Sequence, residues 1–255
     1  MNRTLKFLYL FFIYVFLYLP IVVLITYSFN DSKFSAFWHG LTFKWYKQLF
    51  HDHSLLLVTG HSFLIAVLAS TVATVLGLAA AVALFRYRFY GKKLIQGLVF
   101  ILIVVPDLVF GVSLLMLFVM LKVQLGFWTL LSAHITFCLP FVLVIVYSRL
   151  QTVDKNIFAA ARDLGANDFL IFMRIIIPLM MPALIAGWLL SFTLSMDDVV
   201  ISFFVTGPTF QILPLYIYSL THVGITPEVN ALCTLIFVFT LLLIVAAQSL
   251  IRRKV

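Results

Sequence analysis

Charge is scarce in this chain. Asp, Glu, Lys and Arg together make up only 10% of the 255 residues, 64% are hydrophobic, and the mean hydropathy is +1.16. One soluble core of ordinary size could not hide that much apolar surface, so lipid must cover it. Cysteine is almost absent. Cys138 and Cys233 lie inside apolar runs with no CxxC, which excludes a disulfide framework and leaves both as packing residues. There is no H-E-x-x-H metal motif and no nucleophile with a base and an orienting acid, so no catalytic or metal-binding residue is assigned. A G-x-x-x-x-G-K-[ST] phosphate cradle is missing too, so ATP hydrolysis is not assigned to this chain. With no low-complexity linker and no convincing internal repeat, the simplest division is one integral membrane domain over residues 1–255.

Six apolar runs reach the length of about twenty residues that crosses a bilayer. They fall at roughly 7–29, 62–85, 94–121, 125–148, 175–196 and 229–250, which predicts an all-α, polytopic bundle of six transmembrane helices. The first run follows Arg3 and Lys6 but outlasts a signal peptide's short apolar core and lacks a persuasive cleavage site, so it is expected to be retained. Orientation follows from the basic residues. With a cytoplasmic N-terminus, the inner segments hold Arg3, Lys6, Arg86, Arg88, Lys92, Lys93, Arg149, Lys155, Arg162, Arg174, Arg252, Arg253 and Lys254, and the outer ones only Lys33, Lys44, Lys47 and Lys122. This positive-inside bias predicts that both termini are cytoplasmic. It also accounts for the net charge of +8 as a topology signal and an attraction to anionic lipid; charges split among short loops are a poor nucleic-acid site.

One hydrophilic stretch between spans has internal design. In AAARDLGANDFLIFMRIIIPLMMP, Ala159 to Pro182, Ile157, Ala160, Ala161 and Leu164 recur at helical spacing and give a short helix one shallow apolar face, edged by Arg162 and Asp163. Gly165 is expected to stop that helix in a left-handed conformation, and Asn167 to cap the next one. Elsewhere, Ala69, Ala73, Gly77 and Ala81 at successive i+4 positions predict a smooth stripe for close helix packing. Thr226, Pro227 and Glu228 read as the start of the last helix.

The Ala159–Pro182 stretch resembles the cytoplasmic loop of ABC importer membrane subunits, which reads E-A-A, three residues, Gly, nine residues, then I-x-L-P. Ala160 and Ala161 supply the small pair, Gly165 the turn, Ile175 the Ile, and Ile177-Pro178 the ending. The motif's Glu falls on Ala159, so any contact it makes with the ATPase must be absent or supplied by Asp163 or Arg162. The segments FWHGLTFKWY, FRYRFYGK, LGFWTLLSAHITFCLPFV, GWLLSFTLSMDDVV, FVTGP and ILPLYIYS extend the resemblance over nearly the whole chain, to the permeases of bacterial spermidine/putrescine importers. The resemblance implies a type I ABC importer permease fold in the bacterial inner membrane. It further implies a coupling loop at about 150–174 in which Ala160, Ala161, Arg162, Asp163, Leu164 and Gly165 meet the ATPase. The implied partners are a second homologous permease, two cytoplasmic ATPase subunits holding the ATP and magnesium, and a periplasmic binding protein delivering polyamine. No cofactor is expected on this chain itself.

Acidic residues beside the spans are candidates for the substrate path. An Asp near a helix centre costs on the order of 2.5–3.5 kcal/mol to insert, so Asp107 should face protein or a wet cavity. On an ideal helix it lies about 20 Å beyond Leu94. Either it serves the path, or it satisfies backbone freed by Pro106. Asp197 and Asp198 read either as a polar helix end or as a dication site before the Gly207-Pro208 turn. With Asp107 they would form an acidic track, spaced by roughly 10 Å or more, suited to separated ammonium groups. Around Trp45 the aromatic residues form either an interfacial helix or a lip for a polyamine. His134 and His61 read as proton relays or as hydrogen-bonded packing residues. Thiamine, ferric ion or an organic anion are alternative cargoes. An ATP-independent secondary transporter or channel using Asp107 is the alternative mechanism, and an intramembrane enzyme is a third class that lacks a catalytic pair.

Overall fold

The computed structural model describes residues 3–32, 37–154, 156–221 and 226–252. Lys33, Lys155, Arg253 and Lys254 of the charge count lie outside the described residues. In chain order the helices are α1 (Arg3–Tyr27), α2 (Lys44–Leu49), α3 (His53–Arg86), α4 (Lys92–Val104), α5 (Asp107–Met120), α6 (Phe127–Gln151), α7 (Asn156–Asp163), α8 (Asp168–Ile171), α9 (Ile177–Asp197), α10 (Val200–Val205), α11 (Leu213–Thr221) and α12 (Pro227–Arg252). Among the described residues the only strand-like pairing is an isolated antiparallel bridge between Asn30 and Leu41.

Among the described residues, four helical stretches are long and apolar enough to cross a membrane: Leu5–Tyr27, His53–Arg86, Phe127–Gln151 and Asp168–Asp197. The pair α4 and α5, together with the shorter apolar helix in Pro227–Leu242, is consistent with the six expected spans. The third span is not the continuous helix over 94–121 that its apolar run predicts. Its two halves meet at 112°. Proline disfavours helical backbone in the residue before it, and Val105 and Pro106 are both extended, with ψ of 131° and 138°. Asp107 therefore opens a new helix, and its distance along an ideal helix from Leu94 has no meaning here.

The fifth span starts earlier than 175. From α8 the chain passes through a π-helical turn, Phe172–Ile176, into α9, so Asp168–Asp197 is one helical stretch. Pro178 cannot donate to the carbonyl of Arg174, and a wider turn just before it takes up the mismatch.

Contacts divide the chain into two compact units, residues 1–57 with 216–255, and residues 58–215. In the first, α12 packs on α1 and α2. Much of α1 is exposed apolar surface, with Phe7 and Phe16 among the most open. In the second unit, α6 packs along α9, α4 lies on α6, and α5 lies on α10. The small-residue stripe of α3 does what its spacing predicts. Ala69, Ala73 and Ala81 are fully buried, and a Cβ on Gly77 would meet Val142 Cγ1 at 2.8 Å. Ala161 of α7 shares one apolar cluster with Ala81, Val142, Val146, Ile171 and Met180. The short helix thus sits on the same packing that joins α3, α6 and α9.

Candidate functional site

The two adjacent carboxylates at the end of α9 have opposite fates. Asp198 turns inward and is 8% exposed. Its Oδ1 accepts the Ile201 N–H at 3.1 Å, and its Oδ2 accepts the Ser202 N–H at 2.8 Å and the Ser202 hydroxyl at 2.7 Å. His134 completes the group: Nε2 lies 2.9 Å from Ser202 Oγ and 3.5 Å from Asp198 Oδ2, and Nδ1 lies 2.7 Å from Ser195 Oγ. A buried charge is tolerated when hydrogen-bonded to this degree. Of the two readings of His134, the packing residue is the one seen. Although this set contains Ser, His and Asp, all three are buried and committed to one another, which leaves no face for a substrate. His61 is likewise engaged, with Nδ1 2.9 Å from Gln211 O and its ring stacked on Phe210.

Asp197 and Asp107 are both exposed. Tight packing holds α5, which Asp107 opens, against α10, which follows Asp197 in the chain: a Cβ on Gly111 of α5 would meet Phe204 Cδ2 at 2.9 Å and Ile201 Cα at 3.2 Å in α10. The three-carboxylate track drawn from ideal-helix spacing becomes two open carboxylates and one internal anchor. Asp198 holds the first turn of α10, and that turn fixes the end of α9 where Asp197 emerges.

Trp45 belongs to the other unit and is buried. Its indole Nε1 donates to Asn30 O at 2.7 Å, and Lys44 Nζ sits 4.5 Å from its ring centroid. Around it, Asn30 Nδ2 donates to Phe37 O, Ser28 Oγ bonds Tyr46 OH, and Lys44 pairs with Asp31. The aromatic side chains open to the exterior are Phe37, Trp38, Phe43 and Phe50. In this arrangement the Trp45 ring anchors the loop before α2.

The short helix α7 ends as expected. Gly165 has φ of +81°, its N–H donates to Arg162 O at 2.8 Å, and the Ala166 N–H reaches Ala161 O at 3.0 Å, which is a Schellman closure. Asn167 Oδ1 then accepts the Leu170 N–H at 2.8 Å and caps α8. Only Ala161 of the expected apolar face turns into the bundle. Ile157, Ala160 and Leu164 are exposed, Leu164 by 88%, and Arg162 and Asp163 stand open beside them.

Comparison with known proteins decides the family. The inner membrane components of binding-protein-dependent transport systems match residues 73–255. The chain belongs to that family. This permease shares 54% identity, over 95% of its length and 92% of the relative's, with the spermidine/putrescine transport system permease protein PotC of Escherichia coli (strain K12). It is 48% identical to the Haemophilus influenzae PotC protein over 96% of each chain. With the putrescine transport system permease protein PotI of E. coli (strain K12) it shares 43%, over 88% of this chain and 82% of that one. In fold it is similar to a bacterial ABC transporter involved in the import of the acidic polysaccharide alginate, with a TM-score of 0.76 at 16% identity, covering 98% of this chain and 95% of that one.

Two features of the permease site were not read from sequence. One is the His134–Ser202–Asp198 network, for which the spacing of Asp198 ahead of Ile201 and Ser202 was the available capping signal. The other lies next to α7. Arg86 pairs with Asp168, Arg162 Nε comes within 4.0 Å of the same carboxylate, and a cleft of about 730 Å³ opens against Arg86, Arg88, Lys92 and Arg162.

Proposed function

We propose that this permease subunit carries polyamines, spermidine or putrescine, inward across the bacterial inner membrane as part of an ATP-driven importer. The observation that carries the cargo assignment is the pair of open carboxylates, Asp107 and Asp197, at the break of the third span and the end of the fifth. Two exposed carboxylates favour a cation with more than one positive charge, and their exposure lets it leave as well as enter. Similarity to the PotC and PotI permeases supports the same cargo class. Asp198 serves this path from behind, by fixing the turn that presents Asp197.

The permease works with a second, homologous permease, two cytoplasmic ATPase subunits that hold ATP and magnesium, and a periplasmic binding protein. Both termini and the 150–174 loop are cytoplasmic. ATPase closure pushes on the exposed row Ile157, Ala160 and Leu164, and Ala161 transmits the displacement into the cluster shared by α3, α6 and α9. Such coupling requires two bundle states that the nucleotide-loaded partner binds unequally. Reconstitution of the full importer in vesicles tests this: labelled spermidine or putrescine should accumulate only with ATP and the ATPase. Uptake that persists without ATP would instead identify a secondary transporter or channel.

A further inference from the structure

The cleft beside α7 lies at the ends of three apolar helices. Arg86 closes α3, Lys92 opens α4 and Gln151 closes α6, with Arg88 in the loop between the first two, and all four line it. Because α3 and α6 are both long enough to cross the hydrocarbon, their terminal residues stand at headgroup depth. Four cations, Arg86, Arg88, Lys92 and Arg162, and no carboxylate line the cleft among the described residues. Asp168 answers Arg86 and, at longer range, Arg162. Lys92 Nζ donates to Tyr87 O at 3.3 Å, and neither it nor Arg88 has a carboxylate within ion-pair distance among the described residues. As α4 starts without a side-chain cap, the positive end of its dipole adds to the same potential. Such a concave wall attracts an anion.

Apolar surface in and beside the cleft decides which anion. Phe85, Tyr147 and Phe158 also line it, with Phe85 and Phe158 meeting edge-on at 6.2 Å. Leu94, Leu98 and Ile101 recur along an exposed face of α4, starting within one turn of Lys92. We propose that the cleft binds the headgroup of an anionic glycerophospholipid, whose phosphate pairs with Arg88 and Lys92 and whose acyl chains lie along α4. Basic pockets between helices at a membrane surface suit such headgroups. A free phosphate would meet the charges but leave the aromatic lining and the α4 face unused. Nor does the site compete with a subunit seated on α7: Phe158 and Arg162 share one side of that helix, whereas the exposed Ile157, Ala160 and Leu164 lie on another.

The test titrates phosphatidylglycerol into the intact importer, purified in phosphatidylcholine mixed micelles, and counts the retained lipid by native mass spectrometry. Arg88→Gln combined with Lys92→Gln should lower the apparent affinity roughly tenfold. Arg88→Lys, which keeps the charge, should retain most of it. Arg149→Gln removes a cation from the same end of α6 but outside the cleft lining, and should leave retention unchanged. An equal loss in Arg149→Gln overturns the proposal, since the lipid then answers only the general basic charge of this face. Normal retention in the double variant also overturns it, and if that variant sheds its ATPase subunits the cleft belongs to a protein. Displacement of the lipid by inorganic phosphate alone would make the occupant a free phosphate, and the lipid assignment falls. Polyamine uptake plays no part in the readout, so this site and the cargo assignment fail separately.

Discussion

His134 Nδ1 sits 2.7 Å from Ser195 Oγ, so one buried imidazole ties α6 to the last turn of α9, two residues before the exposed carboxylate of Asp197. Its other nitrogen faces Ser202 Oγ at 2.9 Å in α10. Three helices therefore share one side chain, and the place where Asp197 emerges depends on all of them.

Replacing His134 by Ala should destabilise the permease strongly. The Ser195 and Ser202 hydroxyls would lose a buried partner, and each such loss costs about 1–3 kcal/mol. Thermal unfolding in detergent should show a marked fall in Tm, and His134→Gln, which keeps hydrogen-bonding capacity, a smaller one. Wild-type stability in His134→Ala would remove the network from the account of this fold.

Asp197 and Asp198 should separate cleanly despite being adjacent. Asp197→Asn and Asp107→Asn should lower polyamine uptake at matched membrane expression while leaving the unfolding midpoint in place, because both side chains are exposed. Asp198→Ala should lower the midpoint first, since it strips acceptors from two buried backbone N–H groups and the Ser202 hydroxyl. Normal uptake in both exposed-site variants would take those carboxylates out of the path.

Gly77 and Gly60 lie on the same helix, yet a side chain should matter only at one. A Cβ on Gly77 would lie 2.8 Å from Val142 Cγ1 and 3.2 Å from the Leu143 amide nitrogen, whereas one on Gly60 would meet nothing within 4 Å. Gly77→Leu should destabilise by about 1–3 kcal/mol or more through overpacking. Gly60→Ala should be neutral or stabilising by up to about 1 kcal/mol, by lowering the entropy of the unfolded chain. Comparing the two unfolding curves checks the α3–α6 contact at Gly77.

Gly165→Val should uncouple ATP hydrolysis from transport without any steric clash, since a Cβ there would meet no neighbouring atom within 4 Å. Its effect comes from the backbone, where φ of +81° costs an L residue roughly 1–2 kcal/mol and a β-branched one more. Gly165→Asn, which tolerates the left-handed conformation, should retain most of the coupling. The ratio of polyamine moved to ATP hydrolysed distinguishes the two variants.

Local patterns were enough to place the short helix before Gly165, the Gly165 closure, the Asn167 cap and the packing stripe of α3. Each depends on neighbours within a few turns of one helix, and the same spacing recurs wherever that helix lies. Apolar length located the membrane runs, but it could not set the angle at Pro106, because a hydropathy run records composition and not direction. Nor could it separate Asp197 from Asp198. Which of two adjacent carboxylates turns inward depended on His134, 64 residues earlier in the chain, and on Ser202 in the next helix. Trp45 tells the same story from the other unit, its indole held by Asn30 and its ring beside Lys44. The amino-acid order by itself determined a helical membrane permease with a short, glycine-closed helix between two of its spans. Only the tertiary structure decided which charges stay open, because burial is settled by the partners that folding brings together from distant parts of the chain.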